Sequence, residues 1–186
     1  MKNSRWLIAV AVALLILLGF WWFRRGRVAP STMDLVQQFS TADKRSGMPQ
    51  DQAFQLTDVT ISGQTLHAIF AHPPSRITWK VAVPRDGWLR TSLGLKPEAW
   101  DKEGDGVLFR IGVSDGKRYD ELLNQVVNPI GVPGDRRWVP VTLDLSGYAG
   151  ETVDLIFNTN GGAPGKKSNT RNDWAVWGAP EVFVRR

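Results

Sequence analysis

From residue 54 onward the apolar residues recur at every second position, in short runs broken by turn residues, and this period constrains the fold more than anything else in the chain. Ile77, Trp79, Val81 and Val83 alternate with Arg76, Thr78, Lys80 and Ala82. Val107, Phe109, Ile111 and Val113 repeat the pattern, as do Val139, Val141, Leu143 and Leu145, and then Val153, Leu155 and Phe157. Alternation of this kind is the mark of a strand with one face in a core. Weaker runs fit strands over 54–61, 64–71, 88–95 and 174–184. Turn signals divide them: Ser62-Gly63, His72-Pro73-Pro74, Asp86-Gly87, Gly104-Asp105-Gly106, Asp115-Gly116, Pro133-Gly134 and Gly161-Gly162. Seven to nine short strands without a long helical period point to an all-β, antiparallel sandwich over 53–186. Only 119–127 reads as a turn or two of helix.

A different period governs the N-terminus. Residues 6–23 carry no charge and no proline. A helix of that length spans about 27 Å, close to the hydrocarbon core of a bilayer. Trp6 at one end and Trp21 and Trp22 at the other suit interfacial belts, and Arg24, Arg25 and Arg27 follow at once. Arginine, rather than a small residue, stands where a signal-peptide cut would fall, so the expectation is an uncleaved, single-pass anchor behind a tail of residues 1–5. The short tail favours a cytoplasmic N-terminus and a C-terminal domain outside the cytoplasm, periplasmic or at the cell surface. Ala9 and Ala13, four apart, would let a second membrane helix approach closely.

Residues 24–52 read as a link. Ser31-Thr32-Met33-Asp34 has the look of a capping box, which predicts a short helix near 32–39 followed by a polar loop.

Charge supports this division. The net +5 belongs to Lys2, Arg5, Arg24, Arg25 and Arg27; the remainder holds 18 basic and 18 acidic residues, so nucleic acid is not an expected partner. Without cysteine there is no disulfide framework, thiolate metal site or cysteine nucleophile.

Three segments carry a family likeness. They are Gly104-Asp105-Gly106-Val107-Leu108-Phe109-Arg110, then Trp138 with Asp144-Leu145-Ser146-Gly147-Tyr148-Ala149-Gly150, and then Asn172-Asp173-Trp174-Ala175-Val176-Trp177-Gly178-Ala179-Pro180. Together they resemble the jelly-roll sandwiches of the galactose-binding-like superfamily, nearest to bacterial carbohydrate-binding-like modules. The resemblance covers about 54–184 and implies an antiparallel jelly roll used for recognition of sugar, protein or lipid.

Candidate site residues follow from the aromatic content. Trp79, Trp138 and Trp177 lie in alternating runs and are expected in the core. Trp88, Trp100 and Trp174 lie nearer loops and are the binding candidates, with Arg171, Asn172 and Asp173 as a polar set beside Trp174. Asp101, Glu103 and Asp105 begin like a calcium loop, but its twelfth position is Gly112, so an EF-hand fails. The resemblance leaves a single calcium in a sandwich loop as an option. Asp115, Asp120 and Glu121 come nearest to a glycosidase pair, yet loop carboxylates are usually solvated, and no nucleophile elbow, zinc helix or phosphate loop is present. The sequence therefore predicts a non-enzyme without a cofactor. Its first reading is an accessory subunit docked on a membrane protein complex at the extracytoplasmic face; its alternative is a membrane-tethered module that binds surface glycans.

Overall fold

The computed structural model describes residues 32–162 and 169–185. Among the described residues there are eleven strands, β1 (Thr32–Asp34), β2 (Asp43–Ser46), β3 (Phe54–Ile61), β4 (Gln64–Ala71), β5 (Ser75–Ala82), β6 (Gly87–Leu95), β7 (Val107–Ser114), β8 (Tyr119–Val127), β9 (Val139–Asp144), β10 (Thr152–Gly161) and β11 (Ala175–Val184). One helix of four residues, α1 (Gln50–Ala53), precedes β3. Every strand pairing is antiparallel. One sheet runs β3-β4-β11-β6-β9, with β1 also paired to β11; the other runs β2-β5-β10-β7-β8. The chain changes sheet after β1, β2, β4, β5, β6, β8, β9 and β10, so the two faces interdigitate side chains from distant parts of the sequence. This is the all-β antiparallel sandwich that the alternation predicts.

The alternation explains the layers. Ile77, Trp79 and Val81 of β5, Phe109 and Ile111 of β7, and Leu155 and Phe157 of β10 meet Ile69, Leu89, Leu93 and Trp177 of the facing sheet in the central core. Trp177 sits against Phe109 and Phe157, at ring-centre distances of 4.8 and 4.5 Å. A second apolar cluster joins Val59, Ile61, Ala68 and Val176 under Trp138. These residues alternate with core residues of the same strands, so they occupy the sheet's outer face. Gly94 and Gly178 make room there, since a Cβ on Gly178 would stand 2.8 Å from Trp138. Trp138 is thus buried as expected, but outside the sandwich and not between its sheets.

Two sequence expectations are corrected. Residues 119–127 form strand β8, not a helical turn. Ile111 pairs with Leu123 while Gly112 pairs with Glu121, so Leu122 is the extra residue of a bulge. That insertion breaks the period of two within an edge strand and leaves Leu122 and Leu123 adjacent, which imitates a helical pattern. The short helix near 32–39 is also absent. Thr32–Asp34 instead pairs with β11, and Phe39–Thr41 makes one 3-10 turn. Asp34 Oδ1 accepts the backbone N–H groups of Val36 and Gln37, closing a turn that drops Leu35 and Val36 into the core. Residues 32–46 of the expected link therefore supply strands to both sheets.

Among the described residues no helix is long and apolar enough to cross a membrane. The expected span 6–23, with Trp6, Ala9, Ala13, Trp21, Trp22, Arg24, Arg25 and Arg27, lies outside them.

Candidate functional site

Three connections meet at one end of the sandwich: 96–106 between β6 and β7, 128–138 between β8 and β9, and the segment before β11. Backbone hydrogen bonds tie them. Lys96 N–H donates to the Trp174 carbonyl at 2.9 Å, and Gly162 N–H to the Gly106 carbonyl at 2.9 Å. Asn172 adopts a positive φ of 61°, which asparagine tolerates better than most residues, and its Nδ2 donates to the Glu103 carbonyl at 2.9 Å. This end therefore collects Trp100, Asp101, Glu103, Asp105, Arg171, Asn172, Asp173 and Trp174 from segments far apart in the chain. Trp88 is not among them. It lies at the start of β6, opposite Asp144 and Phe183, with the Arg185 guanidinium 5.2 Å from its ring centre.

The collected residues divide by role. Trp100 donates its ring N–H to the Leu95 carbonyl at 3.0 Å and packs against both apolar clusters, so it anchors the loop. Trp174 is half-buried, and the Lys102 ammonium stands 4.0 Å from its ring centre. A cation on one aromatic face both orients the ring and adds a donor beside it. Arg171, three residues before Trp174, is exposed. The amide of Asn172 is spent on the loop backbone and Asp173 is buried, so among the described residues Arg171 is the member of the polar set exposed to solvent, joined by Lys102, which sequence reasoning missed.

Asp173 is the unexpected member. It is fully buried, and among the described residues neither carboxylate oxygen has a hydrogen-bond partner. Asp105 Oδ1 is likewise buried and unpartnered. Burial, and secondarily the charge of Asp105, raise the Asp173 carboxyl to about 8, because an ionised group here would lose its hydration next to a like charge. The oxygen-only donor set suits a hard cation such as calcium. The expected trio does not converge: Asp101 lies 3.7 Å from Arg136, and Glu103 is exposed, which leaves Asp105 facing Asp173. Among the described residues no group of three or more His, Cys, Asp or Glu side chains is placed to hold a metal. Any cation would therefore take the rest of its ligands from backbone oxygens or water.

Gly106 fixes the approach to this pair. Its φ is +84°, and a Cβ would stand 2.6 Å from Asn128 Cβ and 2.7 Å from the Val127 carbonyl oxygen. Gly106→Ala is expected to lower stability by about 1–3 kcal/mol. Urea unfolding measures it, and a change within about 0.5 kcal/mol would show the turn to be unconstrained.

At the other end a cleft of ≈440 Å³ is lined by Asp115, Arg118, Asp120, Asp144 and Tyr148. Its polar groups are largely paired among themselves: Tyr148 Oη donates to Asp120 at 2.9 Å, Asp115 accepts from two backbone N–H groups, and Asp144 accepts from Ser146 N–H. Burial and Asp120 together raise the Tyr148 hydroxyl.

Comparison with known proteins gives the fold a context. No protein-family model matches the chain. An uncharacterized protein of Archaeoglobus fulgidus is 35% identical over 121 residues, which covers 61% of this chain and 30% of that relative. The chain thus spans under a third of the relative's length. Among solved structures, the CBM51 module of a Clostridium perfringens GH95 protein, in complex with methyl-galactose, superposes with a TM-score of 0.58 at 13% identity, covering 82% of this chain and 99% of that one. Tandem CBM51 modules of a family 98 glycoside hydrolase from Streptococcus pneumoniae give 0.52 at 14% identity, covering 83% and 47%. A CBM61 module with β-1,4-galactotriose gives 0.52 at 12% identity, covering 79% and 90%. At such identities the likeness is one of fold, and the fold is that of carbohydrate-binding β-sandwich modules.

Proposed function

We propose that this protein is a non-catalytic, membrane-tethered module that binds carbohydrate at the loop end bearing Trp174. The observation that carries this reading is the half-buried Trp174 ring at the meeting point of the loops, with the Lys102 ammonium over the ring and the exposed Arg171 three residues earlier in the same segment. An aromatic plane beside a few donors is what a sugar ring needs, since its C–H face stacks while its hydroxyls accept hydrogen bonds. Fold neighbours solved with methyl-galactose and galactotriose make galactose-containing glycans the first ligands to try. The tether is the apolar run 6–23 with a cytoplasmic N-terminus, supported by its length and flanking residues alone. A calcium ion held in part by Asp105 and Asp173 would brace the same loops, supported by their unpartnered oxygens.

The accessory-subunit reading draws on Ala9, Ala13 and the short tether, all outside the described residues, while the fold neighbours favour glycan binding.

Trp174→Ala is expected to weaken binding of galactose-containing glycans at least about tenfold, a loss near 1.4 kcal/mol, while the far-ultraviolet circular dichroism is retained. A glycan array run with both proteins decides it. No binder above background, or equal binding by the variant, would reject the site.

A further inference from the structure

We infer that the outer face of the sheet containing β5, β7 and β10 binds a polysaccharide bearing carboxylate or sulfate groups. This rests on the carbohydrate-binding reading and adds a second site with a different ligand class.

The site is written in the strand register. Arg45 of β2 pairs with Arg76 of β5, Arg76 with Asn158 of β10, and Asn158 with Arg110 of β7. These positions alternate with Ile77, Phe157 and Ile111, which face the core, so the row lies on the outside. Neighbouring strands are about 4.8 Å apart, which puts the backbones of Arg76 and Arg110 about 10 Å from each other and Arg45 a further strand away. Three guanidinium groups thus cross the sheet in one line.

Like charges directly opposite in a sheet oppose folding. Arg45 is offset by Asp43 Oδ2 at 3.1 Å, and Arg110 by Glu121 Oε2 at 3.7 Å. Among the described residues no carboxylate lies within salt-bridge range of Arg76. It is oriented instead by a neutral partner: its Nε donates to Asn158 Oδ1 at 2.8 Å, and Asn158 is 5% exposed. Arg110 donates similarly to Asn160 Oδ1 at 3.3 Å. Holding Arg76 through Nε leaves its two terminal nitrogens free as a fork, the geometry that receives a carboxylate or sulfate with two parallel hydrogen bonds.

Arg45, Arg76, Arg110, Asn158 and Asn160 line one open cleft of about 290 Å³, with Pro74 as an apolar wall. A shallow cleft running across strands, with anion receptors at intervals, suits an extended charged polymer rather than one buried sugar. A nucleic acid fits less well. Among the described residues no aromatic side chain lines the cleft for base stacking, and the chain beyond its first 27 residues carries balanced charge.

The test uses the purified full chain in detergent with polygalacturonate as the carboxylate probe, heparin as the sulfate probe and neutral β-1,4-galactan as reference. Binding to at least one anionic polymer is expected, weakening severalfold between about 50 and about 300 mM NaCl. R76Q should weaken it about tenfold and leave galactan binding unchanged; R45Q, at an exposed position, should weaken it about threefold. Which anionic polymer responds identifies the anion. Galactan binding without anionic binding, or anionic binding indifferent to both substitutions, overturns the inference and leaves the carbohydrate-binding reading standing. Failure to bind any of the three polymers removes both. A DNA duplex that binds more tightly than either anionic polymer, with the same loss in R76Q, would reassign the row and overturn its assignment to glycans.

Discussion

Trp177→Ala lowers the stability of the sandwich by about 3–5 kcal/mol, with the midpoint of thermal unfolding falling by roughly 10 °C. The position explains the size. β11 is central in its sheet, and Trp177 pairs with Ile69 of β4 on one side and Leu93 of β6 on the other. Its side chain is 0% exposed and crosses the layer to Phe109, edge-on at 86°, and to Phe157, tilted at 47°. Truncation removes the largest fully buried side chain, opens a cavity between two sheets and breaks two aromatic contacts at once. Strands held on both sides collapse poorly into such a space, so little of the loss is recovered by relaxation. Trp177→Phe keeps part of the ring contact and is expected to recover a substantial part of the loss. Urea titration of the three proteins at equal slope checks both statements. A loss below about 1 kcal/mol for the alanine variant would mean that the sheets are not joined through this residue.

The fold was legible wherever one face of a strand meets the core and the other meets water. β5 and β9 announce themselves because core and solvent alternate along their length, whereas β7 and β10 keep the period in their apolar residues although much of their outer face is covered. β8 did not, because Leu122 is inserted into an edge strand and shifts the register there. β1 and β2 were hidden for another reason: strands of three and four residues cannot display a period, and Asp34 closes a turn with the hydrogen bonds expected of a helix cap. The site was legible by neighbourhood. Arg171 to Trp174 are consecutive, so their joint placement needed no tertiary information. That Asp105 faces Asp173 and that Lys102 covers Trp174 depend on β6-β7 and β10-β11 ending at the same edge of the sandwich, which no local pattern carries. The arginine row is a register effect in the same sense. Its members lie on separate strands and align only once pairing is known.

The buried pair makes the remaining large prediction, a stability that falls as pH rises. The Asp173 carboxyl titrates near 8 in the folded protein against an ordinary 3.8. Between those values the native state keeps a proton that the unfolded chain gives up, so the unfolded state binds fewer protons and the slope of stability with pH is negative. The contribution is fully present below about pH 4, declines through the interval and is gone above about pH 8. At about 1.4 kcal/mol per unit, the difference is at most about 6 kcal/mol. In a chelating buffer, Asp173→Asn removes the ionisable group while keeping the shape of the side chain. The variant is therefore expected to match the wild type within about 1 kcal/mol near pH 4 and to exceed it by several kcal/mol near pH 9. Taking the difference between the two proteins cancels the other titrating groups that lie away from the pair. Calcium should act in the opposite sense. By binding the ionised carboxylates it stabilises the native state above pH 8, by about 2.7 kcal/mol at a hundredfold excess over its dissociation constant, and the asparagine substitution should abolish the response. Equal pH profiles for the two proteins in chelator would show that Asp173 is solvated or partnered when folded, and the pair would then give no reason for a cation to bind.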